Sequence, residues 1–318
     1  MTSWARSRRS GLRAIAPFRG APDEPATRAA YKRGVFEAFL RHGGLERDEL
    51  AGTRVLEVGP GDDLSVALRF LAAGAAEVTC VDRFRFEVDP DWERAVYRVV
   101  LEELDEEGRE RLGGVIDADG RLERHSDRLR VISDAGIEDA ARALEHGSFD
   151  LIASVAVLEH VYDLEASMRA MDDLLAAGGR MVHYVDLRDH GMLSAGGHHP
   201  LEFLTIPERA YRLMTSHTGA PNRERLSSYR ALLRDLGHDA ELLVTNVGGA
   251  TDDLVPYRAE LDPERDVGRA MLASIDRLRP RLAPPFASLG TEELAVTGIL
   301  IRSRKPGVPA RGTAVPSR

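Results

Sequence analysis

Two hydrophobic periods alternate along this chain. Short apolar runs suited to strands occur at Val55–Val58, Val78–Val81, Arg130–Ser133, Leu151–Ala153, Met181–Val185, Glu241–Val247 and Leu294–Arg302. Between them, apolar residues recur every three or four positions, the period of a helix that buries one face. Residues 25–42 do so through Tyr31, Val35, Phe36, Phe39 and Leu40, and residues 91–112 through Trp92, Val96, Val99, Val100 and Leu104. Further helices are expected after Gly61 (Leu64, Ala67, Leu68, Leu71), over Asp163–Ala177, Ile206–Ser216 and Asp266–Leu278, and from Asn222 (Tyr229, Leu232, Leu233, Leu236). Punctuation agrees: Asp62 or Asp63 can cap one helix, Pro207 suits a first turn, and Gly74 and Gly237 suit helix ends.

The most informative stretch is 54–82. A strand interrupted by one carboxylate, Glu57, runs into Gly59-Pro60-Gly61, then a helix, then a second strand ending on Asp82. A strand–glycine turn–helix–strand–acid unit is half of a Rossmann-like nucleotide site, and Asp82 stands where an acid can bind ribose hydroxyls. The fold expected is α/β, a seven-stranded mostly parallel sheet with helices on both faces. Two helical insertions, about 83–129 and 249–290, interrupt it. A pyrophosphate-binding turn needs a third glycine, but that position is Leu64, and Asp62 and Asp63 would repel a diphosphate. A ligand with a cationic end suits this turn better. The stretch resembles motif I of class I S-adenosylmethionine (SAM)-dependent methyltransferases, matched by Glu57, Gly59 and Gly61. Asp63 stands in place of the last glycine of the longer pattern.

A second stretch, FDLIASVAVLEHV at 149–161, resembles the fourth-strand segment of many small-molecule methyltransferases. LLAAGGR at 174–180 resembles the lead-in to the fifth strand, and DLRDHGM, GGHHPLEFLTIP and MTSHTG resemble a recurrent bacterial methyltransferase subgroup. The resemblance covers about 54–247 and 294–303. It implies that Glu57, Gly59, Gly61, Asp82, Asp134 and Ser154 hold SAM, that His160 lies near the transferring methyl, and that the last strand is antiparallel between the fifth and sixth. The residues themselves leave two roles open. Asp134 can cap a helix near Ile137, and His160 can position its turn without moving a proton. The helix before the first strand either lids the cofactor or only packs on the sheet. The first insertion either covers substrate or serves as a family decoration or dimer surface, leaving a homodimer open.

Five of the ten histidines, His183, His190, His198, His199 and His217, fall close together. Asp186, His190, His198 and His199 have ligand types for a metal, but their spacing matches no closed motif and no metal site is assigned. The favoured reading is a substrate pocket over the methyl-transfer site. In it, His190 or His160 acts as base with Asp186 orienting, and His198, His199 and Arg223 contact the acceptor. The third reading is a loop whose imidazoles bond backbone.

Charge and composition narrow the partners. Formal net charge is −9, yet both ends are basic, with five Arg and no acid in 1–20 and four Arg and one Lys in 301–318. The thirty-three basic and fifty-two acidic residues of 21–300 give the body −19, which argues against a nucleic-acid surface. Residues 1–24 and 304–318 read as disordered tails flanking one domain over 25–303. A single cysteine, Cys80, no export signal behind Arg8-Arg9 and no apolar run of membrane length point to the cytoplasm. The function expected is transfer of a methyl group from SAM to an oxygen, nitrogen or carbon nucleophile of a small molecule. The alternatives are a nucleotide-dependent oxidoreductase or epimerase on the same half-site, and a non-catalytic SAM-binding protein.

Overall fold

Seven strands form one sheet in the order β3-β2-β1-β4-β5-β7-β6 in the computed structural model. It describes residues 24–85, 87–123, 126–216, 218–250 and 253–307. The basic N-terminal tail except Glu24, most of the C-terminal tail, and His217 lie outside the described residues. The strands are β1 (Arg54–Val58), β2 (Glu77–Asp82), β3 (Leu129–Ser133), β4 (Phe149–Val155), β5 (Leu175–Asp186), β6 (Asp239–Val247) and β7 (Val296–Arg304). β7 is the reversed strand, antiparallel between β5 and β6, as the resemblance implied. β1 pairs with both β2 and β4, so the strand order reverses there. In open α/β sheets this reversal leaves a crevice at the carboxyl ends of the strands.

The helices are α1 (Pro25–Gly43), α2 (Ser65–Ala72), α3 (Pro90–Glu103), α4 (Glu106–Arg111), α5 (Ile137–Ala140), α6 (Leu164–Leu174), α7 (Glu208–Thr215), α8 (Leu226–Asp235), α9 (Pro263–Asp266), α10 (Arg269–Leu278), α11 (Pro284–Ala287) and α12 (Thr291–Ala295). Alternation along the strands builds a core on each face of the sheet. Val55, Leu151, Ala153 and Val182 pack with Phe36, Phe39, Phe70 and Tyr97 on one side. Leu56, Ile152, Met181 and Val185 pack with Met168, Met171, Tyr229 and Ile275 on the other.

Several boundaries differ from the periodicity. The expected helix over 91–112 breaks at Leu104, because the Asp105 carboxylate accepts the Gly108 N–H at 2.8 Å and starts a new helix. The helix expected from Asn222 begins at Leu226, since Arg223 sits at φ 69°. Asp134 caps nothing: α5 starts after Gly136, and Asp134 is exposed at φ 62°. The first insertion does not cover the crevice near β5. It packs beside α1 and α2 through a pair from Arg69 to Glu103, and the Tyr97 hydroxyl accepts the Leu64 N–H at 3.0 Å.

Candidate active site

The turn after β1 needs glycine for two reasons. Gly59 and Gly61 adopt φ 71° and 78°, a region L side chains avoid. A Cβ on Gly59 would also stand 2.3 Å from Val157 Cγ2, at the end of β4. The Gly59 N–H donates to the Val81 carbonyl at 2.8 Å, and the Gly61 N–H donates to Asp82 Oδ2 at 3.2 Å. The other Asp82 oxygen accepts the Phe84 N–H at 2.8 Å. The acid therefore joins the glycine turn to the end of β2.

α1 is clamped onto this turn. Arg28 pairs with Asp62 and Asp63, the latter at 2.7 Å, and Lys32 Nζ donates to the Pro60 carbonyl at 2.6 Å. The Asp63 side chain is buried and also accepts the Ser65 N–H at 3.0 Å. Burial alone would raise its pKa, but Lys32, Arg28 and the Ser65 bonds bring it below the ordinary value. The two carboxylates that would repel a diphosphate are thus neutralised by α1 while still occupying the helix start. Glu57 lies beneath the turn, 5% exposed. Burial, only partly opposed by Lys32, pushes its carboxyl up to about 7.

A cavity of about 600 Å³ opens under α1 at the carboxyl ends of β4 and β5. Tyr31, Val35 and Ala38 of α1 face Val155, Ala156 and Tyr184 across it. Its polar side chains include Asp186, Arg188, Asn246, Asp253 and Tyr257. The Tyr184 hydroxyl donates to the Ala38 carbonyl at 3.2 Å and the Tyr257 hydroxyl to Asp253 Oδ2 at 3.3 Å, and burial raises both phenols. Asp186 is bridged by Arg188 at 2.6–3.0 Å. Burial would raise Asp186, but the Arg188 bonds and nearby His190 outweigh it and hold the carboxyl below its ordinary value.

Behind Asp186 lies a cluster joining the ends of β4 and β5. Glu159 is 1% exposed, and its Oε1 accepts the Asp186 N–H at 3.1 Å. His190 Nε2 stands 3.9 Å from Glu159 Oε1 and 3.7 Å from Asp186 Oδ2. The His160 and His190 rings meet edge to face, centroids 4.7 Å apart. The buried Asp189 carboxylate fixes the loop carrying His190 by accepting the Gly191, Leu193 and Ser194 N–H groups at 2.7–3.0 Å. Glu159 Oε2 and His160 Nδ1 are buried without a hydrogen-bond partner, each costing about 1–3 kcal/mol. Burial pushes Glu159 well above the ordinary carboxyl range. Burial and the neighbouring His190 lower His160 to about 4, so its imidazole is neutral.

A family described as a methyltransferase domain matches residues 24–241. The chain belongs to this family. It carries a methyltransferase domain over those residues. Among curated proteins none matches it. Solved structures similar to the methyltransferase include phosphoethanolamine N-methyltransferase 2 of Haemonchus contortus in complex with S-adenosyl-L-methionine. That match has 15% identity over 86% of this chain, a TM-score of 0.44, and spans 52% of the Haemonchus chain, about half its length. An S-adenosylmethionine-dependent methyltransferase of Mesorhizobium loti is 16% identical over 86% of this chain and 100% of its own, with a TM-score of 0.42. Among the described residues no helix is long and apolar enough to cross a membrane.

The residues singled out in the sequence divide into three groups. Glu57, Gly59, Gly61, Asp82 and Asp134 gather at the carboxyl ends of β1, β2 and β3, and Asp186, His190 and His160 gather beside the cavity. The third group is displaced from it. Arg223 is not among the residues lining the cavity: its guanidinium bonds the Phe203 and Ile206 carbonyls and Glu208 and lies 3.9 Å from the Tyr211 ring centre. His199 also lies outside the cavity lining, with Nε2 bonded to Ser274 Oγ at 2.8 Å and Nδ1 accepting the Leu201 N–H. His198 is exposed and outside the cavity lining. Ser154 is 1% exposed with its hydroxyl bonded to His183 Nδ1 at 2.8 Å, so its side chain supports the end of β4. Pattern reading missed Arg28, Lys32, Tyr184 and Tyr257. Each sits where a solvated face or strand alternation explains it equally well.

Proposed function

We propose that the methyltransferase transfers the methyl group to an oxygen, nitrogen or carbon nucleophile of a small molecule seated in the cavity under α1. The cavity carries this reading: its 600 Å³ suits a metabolite, and its apolar walls with a few polar groups suit orientation of one ligand. Gly59, Gly61, Asp82 and Asp134 hold SAM along the carboxyl ends of the strands, with Glu57 beneath the turn. In the step itself, the acceptor atom bonds the methyl carbon as the carbon–sulfur bond breaks. The electron pair moves to sulfur, leaving S-adenosylhomocysteine. The donor is already activated, so the chain supplies proximity, alignment and exclusion of water. Asp186, held ionised at the cavity wall, and His190 behind it take the acceptor's proton.

The test has two parts. Calorimetry with SAM and S-adenosylhomocysteine should give binding that Asp82→Ala weakens about tenfold or more. Methyl-labelled SAM should then label small molecules from a metabolite panel. Labelling of RNA or protein with no small molecule labelled would overturn the acceptor class, and unchanged affinity in Asp82→Ala would overturn the cofactor residues.

A further inference from the structure

We propose that Glu159, His160 and His190 form a site for one divalent transition-metal ion beside the acceptor cavity. One ligand atom from each lies within 4.8 Å of the other two. A structural observation points to an occupant. Glu159 Oε2 and His160 Nδ1 are buried with no hydrogen-bond partner, although Glu159 is 1% exposed and its other oxygen is bonded. A cation bound here would balance the buried Glu159 carboxylate.

The donor set selects the class of ion. Two imidazoles and one carboxylate suit zinc, cobalt, manganese or ferrous iron, whereas magnesium and calcium favour all-oxygen sites. Three protein ligands leave coordination positions open, the arrangement of catalytic rather than structural sites. Asp186 Oδ2 lies 3.7 Å from His190 Nε2 and also lines the cavity, which places the ion within one side chain of the acceptor. On the function proposed above, on which this consequence rests, the ion takes over the task given to His190. It lowers the pKa of an acceptor oxygen, so oxygen nucleophiles with a second chelating oxygen are the class favoured.

The set differs from the metal-type residues weighed along the sequence, for which no metal site was assigned. His198 and His199 take no part, and Glu159, unremarked in the sequence, is central. The full chain, stripped with a chelator, is titrated with Co²⁺ while visible d–d absorption is followed. SAM binding is measured separately by calorimetry without metal. The expected result is one Co²⁺ per chain, displaced by Zn²⁺ and bound about tenfold or more weaker by His190→Ala and Glu159→Gln, with His198→Ala unchanged. His190→Ala is the decisive variant, since its ring lies on a partly exposed loop and retained SAM binding certifies its fold. Absent Co²⁺ absorption, or equal affinity in wild type and His190→Ala, overturns the metal site and leaves the methyltransferase reading untouched. Lost SAM binding in the wild type strikes that reading alone.

Discussion

Glu57→Gln should stabilise the SAM-free protein in alkaline but not in acidic solution. Glu57 is buried beneath the glycine turn, and its carboxyl is raised from 4.5 to about 7, chiefly by burial. That rise corresponds to about 3 kcal/mol at about 1.4 kcal/mol per pH unit. The sign follows from proton linkage. Below 4.5 the group is protonated in both states and costs nothing. Between 4.5 and about 7 the unfolded chain releases the proton while the folded chain keeps it, so stability falls as pH rises. Above about 7 the whole penalty applies. Glutamine keeps the shape of the protonated acid and cannot ionise. Urea denaturation of both proteins at about pH 5 and about pH 8.5, without SAM, reads the difference. The variant should gain up to about 3 kcal/mol on wild type at the higher pH relative to the lower. The same stability difference at both pH values would refute the reasoning, because it would mean that Lys32 already keeps the carboxylate fully ionised in the fold.

Three further outcomes follow from the contacts. Arg28→Ala removes the α1 pairs to Asp62 and Asp63 and should weaken SAM binding about tenfold by calorimetry. An unchanged dissociation constant would mean that α1 merely packs on the sheet. Arg223→Ala should lower stability by about 3 kcal/mol, since two carbonyls and Glu208 lose a buried cation. SAM affinity should hold, and a denaturation midpoint equal to wild type would restore Arg223 to the candidates for acceptor binding. His198→Ala should leave both unchanged, whereas His199→Ala should cost about 1 kcal/mol by removing the Ser274 and Leu201 bonds, a contrast that thermal denaturation resolves.

Local rules along the chain determined much of this protein. Strand-length apolar runs set the seven strands, since a run such as Leu151–Ala153 can bury only in a covered sheet. Gly59 and Asp82 were legible because a tight turn at the end of a strand admits few residue types, and their chemistry is local. Long-range placement decided the rest. Arg223 and Asp186 are both charged residues in loops by sequence. One is sunk among the Phe203 and Ile206 carbonyls and the other faces a cavity, and only the packing of α7 and the end of β5 separates them. The histidines show the same limit. Their density along the chain suggested one loop site, yet His199 turns to α10 while His190 turns back to Glu159 and His160 at the end of a neighbouring strand. Sequence spacing reports proximity only within one element. Proximity between β4 and β5 is a property of their pairing, set by side chains far from the site.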